Sequence, residues 1–181
     1  MNNQNQQTRP VLYVIICAAP PAQQIQELIQ LARERQWEVC AIATPQATRF
    51  IDAPLLTRIT GYPVRSDYKR VGEADALPKA DAIVVMPATF NTINKWALGI
   101  ADTLAVSLLC EATGKGTPIV AVPYLKADLA HHPAFPRSLE LLRQYGVHVL
   151  YEPEKYPPSN NVPWQVILEK LCLTDTSHQS H

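Results

Sequence analysis

The stretch Val11-Leu12-Tyr13-Val14-Ile15-Ile16-Cys17, followed shortly by Pro20-Pro21, decides how the rest of the chain reads. It is an unbroken apolar run rich in β-branched residues and has no polar face. That is the pattern of a strand covered on both sides, as in a parallel sheet. Beyond the prolines, Ile25, Leu28, Ile29 and Ala32 recur at i, i+3, i+4 and i+7, which predicts an amphipathic helix over residues 22–36. A short β-like stretch, Trp37 to Ala43, comes next. Thr44-Pro45 then suits a helix cap with proline in the first turn. Strand, helix, strand, helix is the opening of a βαβ unit.

Outward from there the pattern repeats. Ala82 to Met86 reads as a buried strand, and Ile93, Trp96, Ala97 and Ile100 mark a helix from Thr92 to Ile100. Asp102 can cap a second helical segment ending near Gly114, and Pro118 to Val122 forms a third buried strand. Ser138 to Tyr145 predicts a helix closed by Gly146, and Val147 to Tyr151 a strand. The Pro-, Ser- and Asn-rich stretch from Glu152 to Pro163 reads as a loop, with a last helix from Trp164 to Leu171. The expected fold is one three-layer, Rossmann-like (flavodoxin-like) α/β domain over residues 10–172 with a mainly parallel sheet. Residues 1–9 and 173–181 are expected to be disordered.

Composition narrows the function. A chain of 181 residues and 20.1 kDa can bury one sizeable core. Sixteen basic and sixteen acidic side chains cancel, leaving no global field for nucleic acid or an anionic membrane. No apolar run approaches the ~18 residues of a membrane span. The polar Met1 to Arg9 lacks the apolar core of a signal peptide. A cytoplasmic location is expected. Cys17, Cys40, Cys110 and Cys172 are too scattered for a disulfide framework. His131-His132 has no spaced partner to complete a metal site, so no metal is expected. Gly114-Lys115-Gly116-Thr117 follows a helix and precedes a strand, the reverse of a phosphate loop, and reads as a turn.

Ligands of open parallel sheets bind beyond the carboxyl ends of the strands. Three such ends carry small or hydroxyl residues: Cys17-Ala18-Ala19, Thr44-Pro45-Gln46-Ala47-Thr48, and Pro87-Ala88-Thr89-Phe90-Asn91-Thr92. Their hydroxyls and backbone N–H groups suit an anion, or they serve only as helix caps; both readings stand on these residues.

The run Ala80 to Thr92, with Pro87-Ala-Thr-Phe-Asn-Thr92 and then Gly99-Ile-Ala-Asp-Thr-Leu104, resembles the signature of the flavin-containing cysteine decarboxylases. That signature is Pro-Ala-Ser-Ala-Asn-Thr followed by Gly-Ile-x-Asp-Asn-Leu. Glu38 to Ile51 and His132 to Arg143 with Gly146-Val147 extend the resemblance in the same order. It implies non-covalent FMN at a subunit boundary, a homo-oligomer (trimer or dodecamer), and a small-molecule or peptide substrate bearing a thiol and a carboxylate. Carried over by position, the flavin-contacting residues fall on Ala18, Ala19, Thr44, Gln46, Thr89, Phe90, Asn91 and Thr92. The family's Pro-Ala-Met-Asn clamp falls on Pro123-Tyr124-Leu125-Lys126. Tyr124 then lies on the cofactor side, and Lys126 pairs with a substrate carboxylate. Asn91 and Lys126 are the implied catalytic-type residues.

Departures are specific. The family's Gly-Ser loop has become Cys17-Ala18-Ala19, and Phe90 replaces alanine, putting a ring near the flavin to stack on it or crowd it. No histidine precedes Pro87, where the family keeps one; Glu73 stands in that region. The family's mobile cysteine near the C-terminus has no match, since Cys172 sits in an apolar helix. The resemblance implies a divergent, decarboxylase-like, FMN-dependent lyase. Its alternatives are a flavin-binding regulatory protein without turnover and a flavin prenyltransferase-like enzyme.

Overall fold

A computed structural model describes residues 9–69, 72, 77–153 and 163–175, with backbone only for 172–175. Five parallel strands form one sheet: β1 (Val11–Ile16), β2 (Glu38–Ala43), β3 (Ala82–Ala88), β4 (Ile119–Pro123) and β5 (His148–Val149), in the order β2-β1-β3-β4-β5. Among the described residues, seven helices surround it: α1 (Ile25–Glu34), α2 (Ala53–Thr60), α3 (Phe90–Ala97), α4 (Leu104–Lys115), α5 (Ala127–Ala130), α6 (Ala134–Gln144) and α7 (Trp164–Asp175). Among the described residues no helix is long and apolar enough to cross a membrane.

Pleating divides the buried runs between two cores. Leu12, Val14, Ile16, Val84 and Val120 face α1, α2 and α7. Tyr13, Ile15, Cys17, Val85 and Ala121 face α3, α4 and α6. Every residue of β1 is buried, which is why its sequence shows no alternation. β1 is also anchored at its start: Val11 N–H donates to Asp81 Oδ2 at 2.7 Å, and Asp81 N–H donates back to Val11 O at 2.8 Å.

Several element boundaries differ from the sequence expectation, each for a local reason. Pro20–Gln24 forms a 3-10 turn, so α1 begins at Ile25 rather than residue 22. Pro45–Arg49 is likewise a 3-10 turn, and Thr44 makes no side-chain cap. Asp52 caps the following α2 instead, accepting from Leu55 N–H at 2.9 Å. Thr103 rather than Asp102 caps α4; Asp102 is engaged by the Lys95 ammonium. Gly116, with φ 69°, closes α4, so the Gly114–Thr117 segment is a helix end. α6 starts at Ala134, one turn before Ser138, and α3 starts at Phe90, before Thr92. β5 has only two paired residues, and α7 continues through Asp175. Glu73 and residues 154–162 lie outside the described residues.

Gln36, just after α1, is the one non-glycine residue with positive φ (68°) among those described. A side chain with a Cβ in that conformation costs about 1–2 kcal/mol. Gln36→Gly is therefore expected to raise the unfolding free energy by about 0.5–1 kcal/mol in urea titration, net of glycine's larger chain entropy. An unchanged or lower midpoint would count against strain at this turn.

Candidate functional site

The carboxyl ends of four strands meet along one edge of the sheet. Thr44 N–H donates to Ile16 O at 2.8 Å, Cys17 N–H to Pro87 O at 3.1 Å, and Tyr124 N–H to Ala88 O at 2.9 Å. These bonds extend the β2-β1-β3-β4 pairing past the strands and set Thr44, Cys17, Thr89 and Tyr124 side by side. The chain leaves β1 towards one face of the sheet and β3 towards the other, because α1 and α3 pack on opposite cores. The β1/β3 boundary is thus the topological switch point, where a 2-1-3-4-5 sheet holds its ligand.

The structure brings together the segments singled out in the sequence, but exposes their side chains unequally. Cys17, Ala19 and Thr92 are buried; Ala18, Thr44, Thr89, Phe90 and Tyr124 are half-buried; Gln46, Asn91 and Lys126 are exposed. Asn91 lies in the first turn of α3, not at its cap, since Thr89 is the N-cap residue. Lys126 is the N-cap residue of the short α5 beyond β4. Phe90 turns towards α6: its ring stacks on Phe135 at 6.3 Å and meets the His132 ring edge-on at 5.6 Å. Its contacts are accordingly with the protein's own aromatic side chains.

Beneath this edge lies a small polar cluster. Cys17 Sγ–H donates to Thr92 Oγ1 at 3.2 Å, and Thr92 Oγ1 lies 3.2 Å from Thr89 Oγ1. Burial pushes the Cys17 thiol up from its ordinary pKa, and hydrogen bonding with Thr92 and Thr89 only partly offsets this. Cys17 is therefore a neutral thiol at pH 7. It ties β1 to α3 rather than acting as a nucleophile.

Loss of the family's glycine at this loop carries no backbone strain. Among the described non-glycine residues only Gln36 has positive φ, and Ala19 is extended at φ −149°. Two methyl side chains, Ala18 and Ala19, leave the main chain approachable. The first-turn N–H groups of α3 have no partner within the helix and carry its positive dipole end. With the hydroxyls of Thr44 and Thr89 and the exposed Asn91 amide, the donor set fits an anionic, nucleotide-like group.

The other sequence candidates are elsewhere. His148 opens β5, the edge strand beside β4, and its imidazole pKa is pushed down, first by desolvation and then by the Lys170 and Arg143 charges. His132 Nδ1 accepts from Ala134 N–H at 3.2 Å at the start of α6. A groove of about 490 Å3 is lined by Tyr13, Ile42, Arg65, Tyr68 and Leu104 among others, and none of the sequence-predicted site residues lines it. Sequence reasoning missed the contribution of α6, through Ser138 and Phe135. No local signal could have found it, because the partners lie about forty residues apart.

A family model described as Flavoprotein matches residues 1–172. The coenzyme A biosynthesis bifunctional protein CoaBC of Thermococcus kodakarensis is 33% identical over 148 residues, 75% of this chain and 36% of that protein. Dihydromethanopterin reductase (acceptor) of Methanosarcina mazei is 34% identical over 100 residues, 55% of this chain and 39% of that protein. The chain spans about a third of the length of the curated relatives it matches. Among solved structures, the FMN-dependent cysteine decarboxylase SpaF superposes with a TM-score of 0.77 at 24% identity. That match covers 92% of this chain and 97% of the other, and it shows the shared fold.

Proposed function

This chain belongs to the Flavoprotein family, and from that premise we propose that it binds FMN at the β1/β3 switch point and acts on a small or peptidyl thiol carboxylate. The observation that carries the reading is the alignment of Ala18-Ala19, Thr44 and Thr89-Asn91 on one strand-end edge beside the start of α3. Ala18 and the first turn of α3 would hold the flavin through main-chain N–H groups, with Ala19, whose own N–H donates to Cys17 O at 3.0 Å, and Thr44, Gln46, Thr89, Thr92 and Tyr124 around it. When bound, FMN supplies a two-electron acceptor for oxidation of the substrate thiol. The exposed Asn91 amide would orient the substrate carboxylate, and Lys126 would attract it as a point charge. Phe90, packed on Phe135 and His132 and half-buried, would flank the flavin with its remaining surface.

The lyase class belongs to the same proposal, with decarboxylation of thiol carboxylates as its reaction. A second reading is flavin binding without decarboxylation. All five histidines follow Pro87, so none stands at the sequence position where the resembling decarboxylases keep theirs. Self-association is also proposed: Leu98 and Ile100, after α3, are large apolar side chains left 66% and 48% exposed. Cys17, Cys40 and Cys110 are free thiols, which accords with a cytoplasmic site of action.

The test is spectroscopic. Protein purified without added cofactor is expected to be yellow, to release FMN on denaturation, and to elute as an oligomer in light scattering. Anaerobic bleaching by a panel of thiol carboxylates, with release of CO2, supports the lyase; retained colour without bleaching supports the second reading. Phosphopantothenoylcysteine is expected to be a poor substrate. Colourless protein that takes up no flavin on soaking would remove both readings.

A further inference from the structure

Helix α6 grips the turn that carries Asn91. Ser138, only 4% exposed, donates from Oγ to Asn94 Oδ1 at 2.7 Å, and Asn94 Nδ2 donates to Phe90 O at 2.9 Å. Phe90 is the first residue of α3, and in helix geometry its carbonyl also accepts the backbone N–H four residues on. The same residue is held on its ring side by Phe135, in the first turn of α6, and by His132, two residues before that helix. One residue is thus fixed by its carbonyl and by its ring from a single neighbouring helix. The next residue is Asn91.

We propose that Ser138 and Asn94 are a positioning pair for the flavin site: the relay Ser138–Asn94–Phe90 O sets the orientation of the first turn of α3. This inference rests on the reading of that turn as the flavin's anchor. An amide has a carbonyl and an NH2 end and must be oriented to serve. The Ser138 hydroxyl supplies a donor, so it holds the Oδ1 end towards α6 and the Nδ2 end towards Phe90. Without it a half-buried Oδ1 loses its partner, and the amide turns to find another. The Phe90 carbonyl then loses its second donor. Ser138 acts through Asn94.

Ser138→Ala, Asn94→Ala and the double variant are to be compared by FMN titration, following quenching of flavin fluorescence. Each single change is expected to weaken binding about tenfold, and the double change no more than either alone, because both break one relay. Leu142→Val, a buried change on the same helix, controls for lost stability and is expected to stay within twofold. Losses that multiply in the double variant, or single variants within twofold of the parent, overturn the relay. Amide hydrogen exchange on flavin-free protein separates this inference from the cofactor reading. Ser138→Ala is expected to speed exchange at the Ile93 and Asn94 amides while leaving the Leu12 to Ile16 amides unchanged. Unaltered exchange at Ile93 and Asn94 overturns the relay, whereas a parent protein that binds no FMN overturns only the cofactor reading.

Discussion

Ala18→Asp is expected to abolish flavin retention while leaving the fold intact. Ala18 is half-buried between β1 and the 3-10 turn that begins at Pro20, in the loop proposed to receive the flavin phosphate. A carboxylate there opposes the bound anion. Two unit charges about 4 Å apart at an effective dielectric near 20 repel by about 4 kcal/mol, roughly a thousandfold in affinity. Ala18→Asn has nearly the same shape without the charge and is expected to lose less than about tenfold, the cost of at most one altered hydrogen bond. Equilibrium dialysis against FMN distinguishes them. Equal losses in both variants would mean that space rather than charge governs the loop, and full retention by the aspartate variant would place the phosphate elsewhere.

Phe135→Ala should produce the largest loss of stability. The Phe135 side chain is 1% exposed, stacks on Phe90, and meets Tyr151 edge-on at 5.2 Å and 84°. Removing a buried phenyl group costs about 3–5 kcal/mol through lost transfer energy and the cavity left behind. For a domain of this size each kcal/mol lowers the melting temperature by about 2–4 °C, so a fall of about 6–20 °C is expected in differential scanning calorimetry. Phe135→Leu, which keeps much of the volume, should lose less than half as much. A drop of only a degree or two for the alanine variant would show that the aromatic cluster is not a packing centre. Phe90 opens α3, so flavin affinity should fall along with stability.

The limits of the sequence reading are visible at α6 and β5. The sequence reading starts this helix at Ser138, beyond Pro133 and Pro136. A helix accepts proline in its first turn, where the missing N–H has no intrahelical partner, so α6 starts at Ala134. Val147 to Tyr151 is as apolar as an inner strand, but only His148 and Val149 pair with β4, since β5 lies at the sheet edge with a strand on one side. Asn91 was read as a helix cap as well as a ligand residue. The structure gives the capping position to Thr89 and leaves the Asn91 amide exposed.

The sequence by itself determined the alternation of strands and helices, the double coverage of β1, and which strand ends carry small and hydroxyl residues. Each follows from the spacing of neighbouring side chains, which is local information. Only the tertiary structure decided the strand order, the Cys17–Thr92 tie across 75 positions, and the hold of Ser138 and Phe135 on the start of α3 across some forty. Such pairings arise when two faces pack, and packing depends on the shape of both partners at once, which no single stretch of chain encodes.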